Sequence, residues 1–280
     1  MNRAKSNPAL ARFRFVIAPI VAFSLNACSI MKPPSVNLPT AAIRTELAPS
    51  GTLRVAINFG NPILANKDAA TGEARGVSVD LARELGKRLG VPVELVTYTA
   101  AGKVVEDIKT GAWDLAFFAI DPVRGADTDF TAAYVVITGS FLVRCDSPIQ
   151  RNEEVDRDGV RVVVGRGSAY DLYLTRELKK ATLVRVATSQ AVTDAMLAES
   201  IDVAAGVTQQ LQADAKRVAD VRLLDSPFMV INQSMAVPKG RAAGLAYASA
   251  FIEEMKASGF VADALKRHGI GGAAVAAVAR

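Results

Sequence analysis

From Thr52 onward, short apolar runs rich in β-branched residues alternate with segments of helical period, in two successive series. That alternation restricts the chain to an α/β fold with mostly parallel sheets, because each parallel return needs a crossover that is usually a helix. Residues 53–57 read as the first strand, after which Val77, Leu81, Leu85 and Leu89 recur at helical spacing up to the stop signals Gly90 and Pro92. Strands follow at 93–98 and 114–120, with a short helix over 101–109 between them and a long extended run at 134–143. Beyond a charged surface patch at 151–158, the second series places strands at 160–164, 183–187 and 201–205 and helices at 168–179 and 190–199. A strand segment at 235–237, a helix carrying Leu245, Ala248, Ile252 and Met255 as far as Gly259, and a final short helix ending near His268 and Gly269 complete the pattern. Two separate βαβ-rich blocks imply two lobes. The Ala/Val-rich tail 271–280 has no readable period, and both fraying and packing are open for it.

Charge narrows the partners. The formal charge of +5 is basic at first sight, but Arg3, Lys5, Arg12 and Arg14 precede Cys28 in a stretch with no Asp or Glu, which leaves 29 positive against 28 negative residues beyond it. A near-neutral protein lacks the electrostatic footprint of phosphate-backbone binding, so nucleic acid is not expected as a partner. With 50% hydrophobic residues there is ample material for a packed core.

The four basic residues introduce an apolar run at 15–25, followed by small residues, which reads as a targeting segment too short for a permanent membrane span. Leu25-Asn26-Ala27-Cys28 resembles a bacterial lipoprotein signal, with lipid on Cys28. An ordinary secretory peptide cut slightly later, for instance after Ser29 with Ala27 as the small residue, is the alternative. Either reading takes the protein out of the cytoplasm. A Pro-rich stretch with Ser35 and Asn37 then reads as a tether. Only Cys28 and Cys145 exist, so a lipidated Cys28 leaves Cys145 without a disulfide partner and stability must come from burial.

Catalysis needs a nucleophile with a base, a metal cluster or a tuned carboxylate pair. The sequence has no Cys/His spacing for zinc, no P-loop and no G-x-S-x-G elbow, and its single histidine, His268, reads as a helix-end or solvent-exposed group. Neither a metal nor another cofactor is expected. Gly165-Arg166-Gly167-Ser168-Ala169-Tyr170 follows a strand and opens a helix, so its backbone N–H groups and the Ser168 hydroxyl can receive an anion. It fails as a dinucleotide fingerprint, because Tyr170 stands where a third small residue is needed. Ser168 as a plain helix cap is compatible with either role.

Four segments together carry a resemblance. Residues 51–57 (Gly-Thr-Leu-Arg-Val-Ala-Ile), 76–82 (Gly-Val-Ser-Val-Asp-Leu-Ala), Asp121-Pro122-Val123-Arg124 with Asp129 to Tyr134 after it, and 235–240 (Met-Ala-Val-Pro-Lys-Gly) resemble, in order, motifs of the family 3 extracellular solute-binding proteins. The likeness runs from about residue 51 to 269. It implies the type II periplasmic-binding-protein, or Venus-flytrap, fold: a signal peptide 1–27, a tether 28–48, a first lobe 49–142 completed by 231–270, a second lobe 143–230 and a tail 271–280, with two crossing strands joining the lobes. It further implies a monomeric extracytoplasmic receptor for an amino acid or related small carboxylate, serving an ABC permease in the membrane and catalysing nothing. Cyclohexadienyl or prephenate-type dehydratases on the same fold are the rival reading.

The resemblance gives Arg124 the role of clamping the ligand carboxylate, for which a planar guanidinium fork is suited. The alternatives are a surface arginine or a salt bridge to Asp121 or Asp127. Ser168 and Ala169 match the turn that closes on the carboxylate from the second lobe, and Asn61 stands where an aromatic wall is usual. Phe118 and Ala119 fall in a segment where small hydroxyl residues often sit, making this cleft more apolar, and of Phe117 and Phe118 one is expected in the core. Tyr170 and Gln233 are further cleft candidates, with surface or hinge roles as alternatives. Val207 occupies the place where amino-acid binders usually carry an Asp for the ligand ammonium, and a buried ammonium beside valine is costly. The ligand is therefore either a carboxylate without an α-amino group or an amino acid whose ammonium finds another acceptor, such as Asp121.

Overall fold

The computed structural model describes residues 39–279, and Thr40 opens them by capping a helix, its hydroxyl accepting from the Ile43 amide at 3.4 Å. This helix, α1 (Ala41–Leu47), lies in the stretch expected to be tether. It is ordered by burial of Leu47 and by docking onto a C-terminal helix, where Glu46 accepts from the Gly244 amide at 2.7 Å. The first series then runs β1 (Leu53–Asn58), a two-residue hairpin β2 (Asn66–Lys67) and β3 (Ala74–Arg75), α2 (Val77–Leu89), β4 (Val93–Tyr98), α3 (Ala101–Glu106) and β5 (Leu115–Ala119). A 17-residue strand, β6 (Thr128–Arg144), leads to the second series: β7 (Arg161–Gly165), α4 (Ala169–Glu177), β8 (Thr182–Val186), α5 (Val192–Ala198), β9 (Val203–Val207), α6 (Thr208–Arg217) and β10 (Val221–Leu223). The return is made by β11 (Met229–Pro238), α7 (Ala242–Ala257), α8 (Phe260–Arg267) and β12 (Ala274–Val275).

The strands form one sheet in the order β4-β1-β5-β11-β6-β9-β7-β8, with β10 and β12 also paired to β6. β1 lies parallel to β4 and β5, and β7 lies parallel to β8 and β9. The antiparallel pair β6 and β11 stands between these two blocks. Each block therefore points the carboxyl ends of its strands, where α/β folds place ligands, toward the region spanned by β6 and β11.

Packing follows from the pattern. On α2 the face of Val77, Leu81, Leu85 and Leu89 is fully buried, each leucine contributing about 1.5–3 kcal/mol, and Gly90 ends the helix in the left-handed region at φ 67°. Trp113 packs edge-on against Phe118 and satisfies its indole N–H on the Val104 carbonyl at 3.0 Å. Beneath the first block, the wholly buried carboxylate of Asp114 accepts from Arg54 through two guanidinium nitrogens and the backbone amide, and from Arg241 at 3.2 Å.

Several boundaries differ from expectation, for physical reasons. β6 begins six residues before 134, because its first stretch carries Asp129 and Thr131 and hides its apolar alternation. β11 begins at Met229, before the polar run Asn232-Gln233-Ser234. β9 is displaced two residues, to Val203–Val207, since Ser200 takes a positive φ of 49° and the Asp202 carboxylate accepts from the Arg161 amide at 2.9 Å. The tail packs: β12 pairs with Val135 and Val136, and Ala276 donates to the Tyr134 carbonyl at 3.1 Å. Cys145 is free and exposed, while Cys28 lies outside the described residues. Among the described residues no helix is long and apolar enough to cross a membrane.

Candidate functional site

The chain leaves β5 at Ala119 and turns through Asp121-Pro122-Val123 into a single 3-10 turn at Arg124–Ala126. That turn drives Arg124 inward until it is 1% exposed. Its Nη1 donates to the Ala119 carbonyl at 2.9 Å and its Nη2 to the Gly167 carbonyl, across from the first block, also at 2.9 Å. Its Cζ stands 5.3 Å from the centre of the Phe118 ring. The Nε–H has no acceptor, and among the described residues no carboxylate forms an ion pair with this guanidinium. Burial lowers its pKa to about 10, with the Asp121 charge partly opposing, so it remains a cation at neutral pH. Neither a surface position nor a salt bridge to Asp121 or Asp127 describes it.

Facing it is the N-terminus of α4. Ser168 is the N-cap, accepting from the Asp171 amide at 3.0 Å, and Asp171 reciprocates on the Gly167 amide at 2.8 Å. Asp171 is also held by Arg185 at 2.9 Å. The N–H groups of Ala169 and Tyr170, in the first turn, have no intrahelical acceptor. Gly167 has φ +69°, and a Cβ there would lie 2.6 Å from the Gly102 Cα, so glycine is required for the two blocks to meet at this point.

These groups wall a cavity of about 40 Å³, room for a few waters or a compact ligand. Asn61, Phe118, Ala119, Arg124, Ser168, Ala169, Tyr170 and Gln233 all line it, as does Val207. Three buried polar atoms here lack partners: Arg124 Nε, Asn61 Oδ1 and the Tyr170 hydroxyl, the last near Ser168 and Ser189 but without a hydrogen bond of ordinary geometry. Desolvation pushes the Tyr170 pKa up, so it stays a neutral donor. Gln233 reaches the wall where β11 breaks register next to Ser234.

Asp121 alone of the expected contacts is not on the wall. Its carboxylate accepts from the Val123 amide at 2.8 Å and pairs with Arg176 of α4 at 3.0 Å, forming a tie between the blocks at the rim. Gln190 makes another, donating to the Phe59 carbonyl at 2.7 Å. Both Phe117 and Phe118 touch the cavity while also packing in the core, Phe117 edge-on against Tyr134 and Phe118 against Phe130. Sequence reasoning missed Ser78 and Tyr134, whose hydroxyls pair at 2.9 Å on the wall, and also Asn58 and Ser189. The usable signal was position: Ser78 is the second residue of α2, and Asn58 ends β1. His268 caps the end of α8 with its ring mostly buried, Nε2 lying 2.9 Å from Asp80, and is not among the wall residues. Among the described residues no group of three His, Cys, Asp or Glu is placed to hold a metal.

A family model, described as bacterial extracellular solute-binding proteins, family 3, matches residues 53–270. Among solved structures, an ancestral amino acid-binding protein that is a precursor of cyclohexadienyl dehydratase superposes with a TM-score of 0.67 at 25% identity, covering 79% of this chain and 97% of its own. A solute receptor for L-cysteine of Neisseria gonorrhoeae gives 0.70 at 24%, covering 81% and 93%. An amino acid ABC transporter substrate-binding protein from Streptococcus pneumoniae, bound to L-arginine, gives 0.69 at 19%, covering 81% and 97%. No curated protein matches the chain significantly in sequence.

Proposed function

Since the chain belongs to the bacterial extracellular solute-binding proteins of family 3, which act outside the cytoplasm, and has their two-lobed type II fold, we propose that it is the receptor of an ABC importer. It takes a small carboxylate or amino acid between lobe 1 (49–142 and 231–270) and lobe 2 (143–230). It does so as a monomer, without cofactor or turnover, and presents the closed form to a membrane permease. Export is directed by residues 1–27, with Cys28 as the site of lipid attachment; both lie outside the described residues.

The observation that carries this reading is Arg124: a buried guanidinium with a free Nε–H, no counter-carboxylate and an open space beside it. A buried charge without a partner is costly, and an incoming anion removes that cost. Two of its five N–H groups are occupied, leaving Nε–H and a neighbouring Nη–H for a side-on pair of bonds to one carboxylate. Ser168 and the first amides of α4 close over the same anion. Against the dehydratase reading, the wall offers no Asp, Glu, His, Lys or Cys to move a proton at neutral pH.

The test is thermal unfolding of the purified protein against amino acids and small carboxylates. A ligand at about a hundredfold excess over Kd stabilises the native state by roughly 2.7 kcal/mol, seen as a raised midpoint. Arg124→Ala is expected to keep the fold and lose the shift. An Ala variant that binds as tightly as the parent refutes the assignment, and turnover of prephenate or arogenate would restore the enzyme.

A further inference from the structure

Of the residues that wall the cavity, Arg124 alone is charged at neutral pH, and none is acidic. The three carboxylates that come nearest in sequence to the wall are all committed elsewhere, Asp80 to Arg267 and His268, Asp121 to Arg176, and Asp171 to Arg185 and the Gly167 amide. Three helices of two or more turns also begin at this wall: α2 with Ser78, α4 with Ala169 and α6, whose N-cap is Val207 itself. Each turns the positive end of its dipole toward the wall, and α4 adds the free first-turn amides of Ala169 and Tyr170, whereas on α2 the Ser78 amide is held by the Leu64 carbonyl at 3.2 Å. Formal charge and helix dipoles at the wall are therefore positive, with no carboxylate on it to balance them.

We infer that the cavity selects a carboxylate carrying no cationic α-amino group, with Val207 as the specificity-determining residue that denies an ammonium a counter-charge. This rests on the receptor reading given above. The carboxyl group pairs with Arg124, and a short apolar body meets Phe117, Phe118, Ile231 and Val207. On this wall the unpartnered amide oxygen Asn61 Oδ1 suits a ligand hydroxyl, and the Tyr170 hydroxyl supplies a neutral donor to a second ligand oxygen. A zwitterion brought into the same space would set its ammonium beside a buried guanidinium and a helix N-terminus, with only neutral oxygens to receive it.

The experiment is calorimetric and thermal-shift titration of the full chain with sets of acids that share one carbon skeleton. Each proteinogenic L-amino acid is compared with its 2-hydroxy, 2-oxo and unsubstituted counterparts, beginning with lactate, pyruvate, propionate and alanine. At least one amine-free acid is expected to bind at least tenfold more tightly than its amino acid. In Val207→Asp that preference is expected to narrow or invert, with amine-free acids losing at least tenfold. Aspartate is a favourable N-cap for α6, so the variant is expected to fold, and its unliganded melting point checks this. Val207→Asn, neutral and of similar size, keeps the test usable if Asp unfolds the chain, and is expected to lose less affinity for amine-free acids. Amino acids binding the parent as tightly as their amine-free counterparts would overturn the inference and leave the receptor reading standing. Binding by no member of any set would overturn both, and a Val207→Asp protein with unaltered affinities would overturn the role given to Val207.

Discussion

The guanidinium of Arg124 occupies a position where charge is expensive, in contrast to the carboxylate of Asp114, which is equally buried but saturated by two arginines and an amide. Asp114 is a structural knot, and Arg124 is incomplete. Its pKa falls to about 10 in the fold, well below the ordinary value of a guanidinium, because burial penalises the cation. Between those values the unfolded chain holds a proton that the folded one has released, so the cost of the buried charge is present at neutral pH and is relieved as pH rises through about 10. A bound anion needs the cation. Affinity is thus expected to be flat across the neutral range and to fall by about tenfold per pH unit above 10, measured by titration at graded pH, with Arg124→Ala flat throughout. That Arg124 lines the cavity was legible from a local motif, and Val207 drew notice because the resemblance implies an Asp at its place. Ser78 and Tyr134 were not legible, since their pairing spans 56 positions and no local pattern announces a contact that distant.

Among the elements, α2 declared itself through a clean apolar stripe, whereas α6 did not, because only Leu211 and Asp214 are buried on it and its exposed Gln and Ala residues give no period. Two-residue strands carry too little pattern to read at all, which is why β12 could not be foreseen in the tail. β12 is nevertheless firmly held. The buried Lys256 ammonium donates to the carbonyls of Ala133 and Ala277, 3.1 and 2.8 Å away, and pairs with Glu253 at 2.8 Å. Its partners Val135 and Val136 on β6 are paired on the opposite side with Gln233 and Asn232 of β11, so the crossing segment is three strands wide there. Lys256→Met is expected to release the tail and cost about 1–3 kcal/mol, the penalty for buried carbonyls left without a donor. Hydrogen exchange should report it as faster exchange of the Ala276 amide, with β1 and β4 unaffected.

For the whole molecule, the division into two parallel blocks was legible from the two series of runs, but their union into a single sheet was not, because pairings between β5, β11, β6 and β9 are set by contacts distant in sequence. Where the blocks meet across the cavity, the contacts among the described residues include Arg124 to the Gly167 carbonyl, Asp121 to Arg176, Gln190 to the Phe59 carbonyl, and Gly167 against Gly102. The Asp121–Arg176 pair is partly open to solvent and weakens with salt, while the glycine contact is steric and does not. Gly167→Ala adds a Cβ into the Gly102 Cα and strains a left-handed residue by about 1 kcal/mol. Its expected effect is a more open unliganded form by small-angle scattering and an affinity at least about tenfold lower, since the binding-competent fraction multiplies affinity directly. Parent-like scattering and affinity would show that closure does not need this contact.

Arg124 itself touches both blocks, through Ala119 on one side and Gly167 on the other. The ligand therefore completes a bridge that the protein has begun by itself. For an importer receptor, a bridge made by the protein's own residues narrows the free-energy gap between the open and closed forms, so closure without cargo would set a floor of idle turnover in the transporter. Such a system is tuned by how rarely the empty receptor closes as much as by how tightly the full one holds.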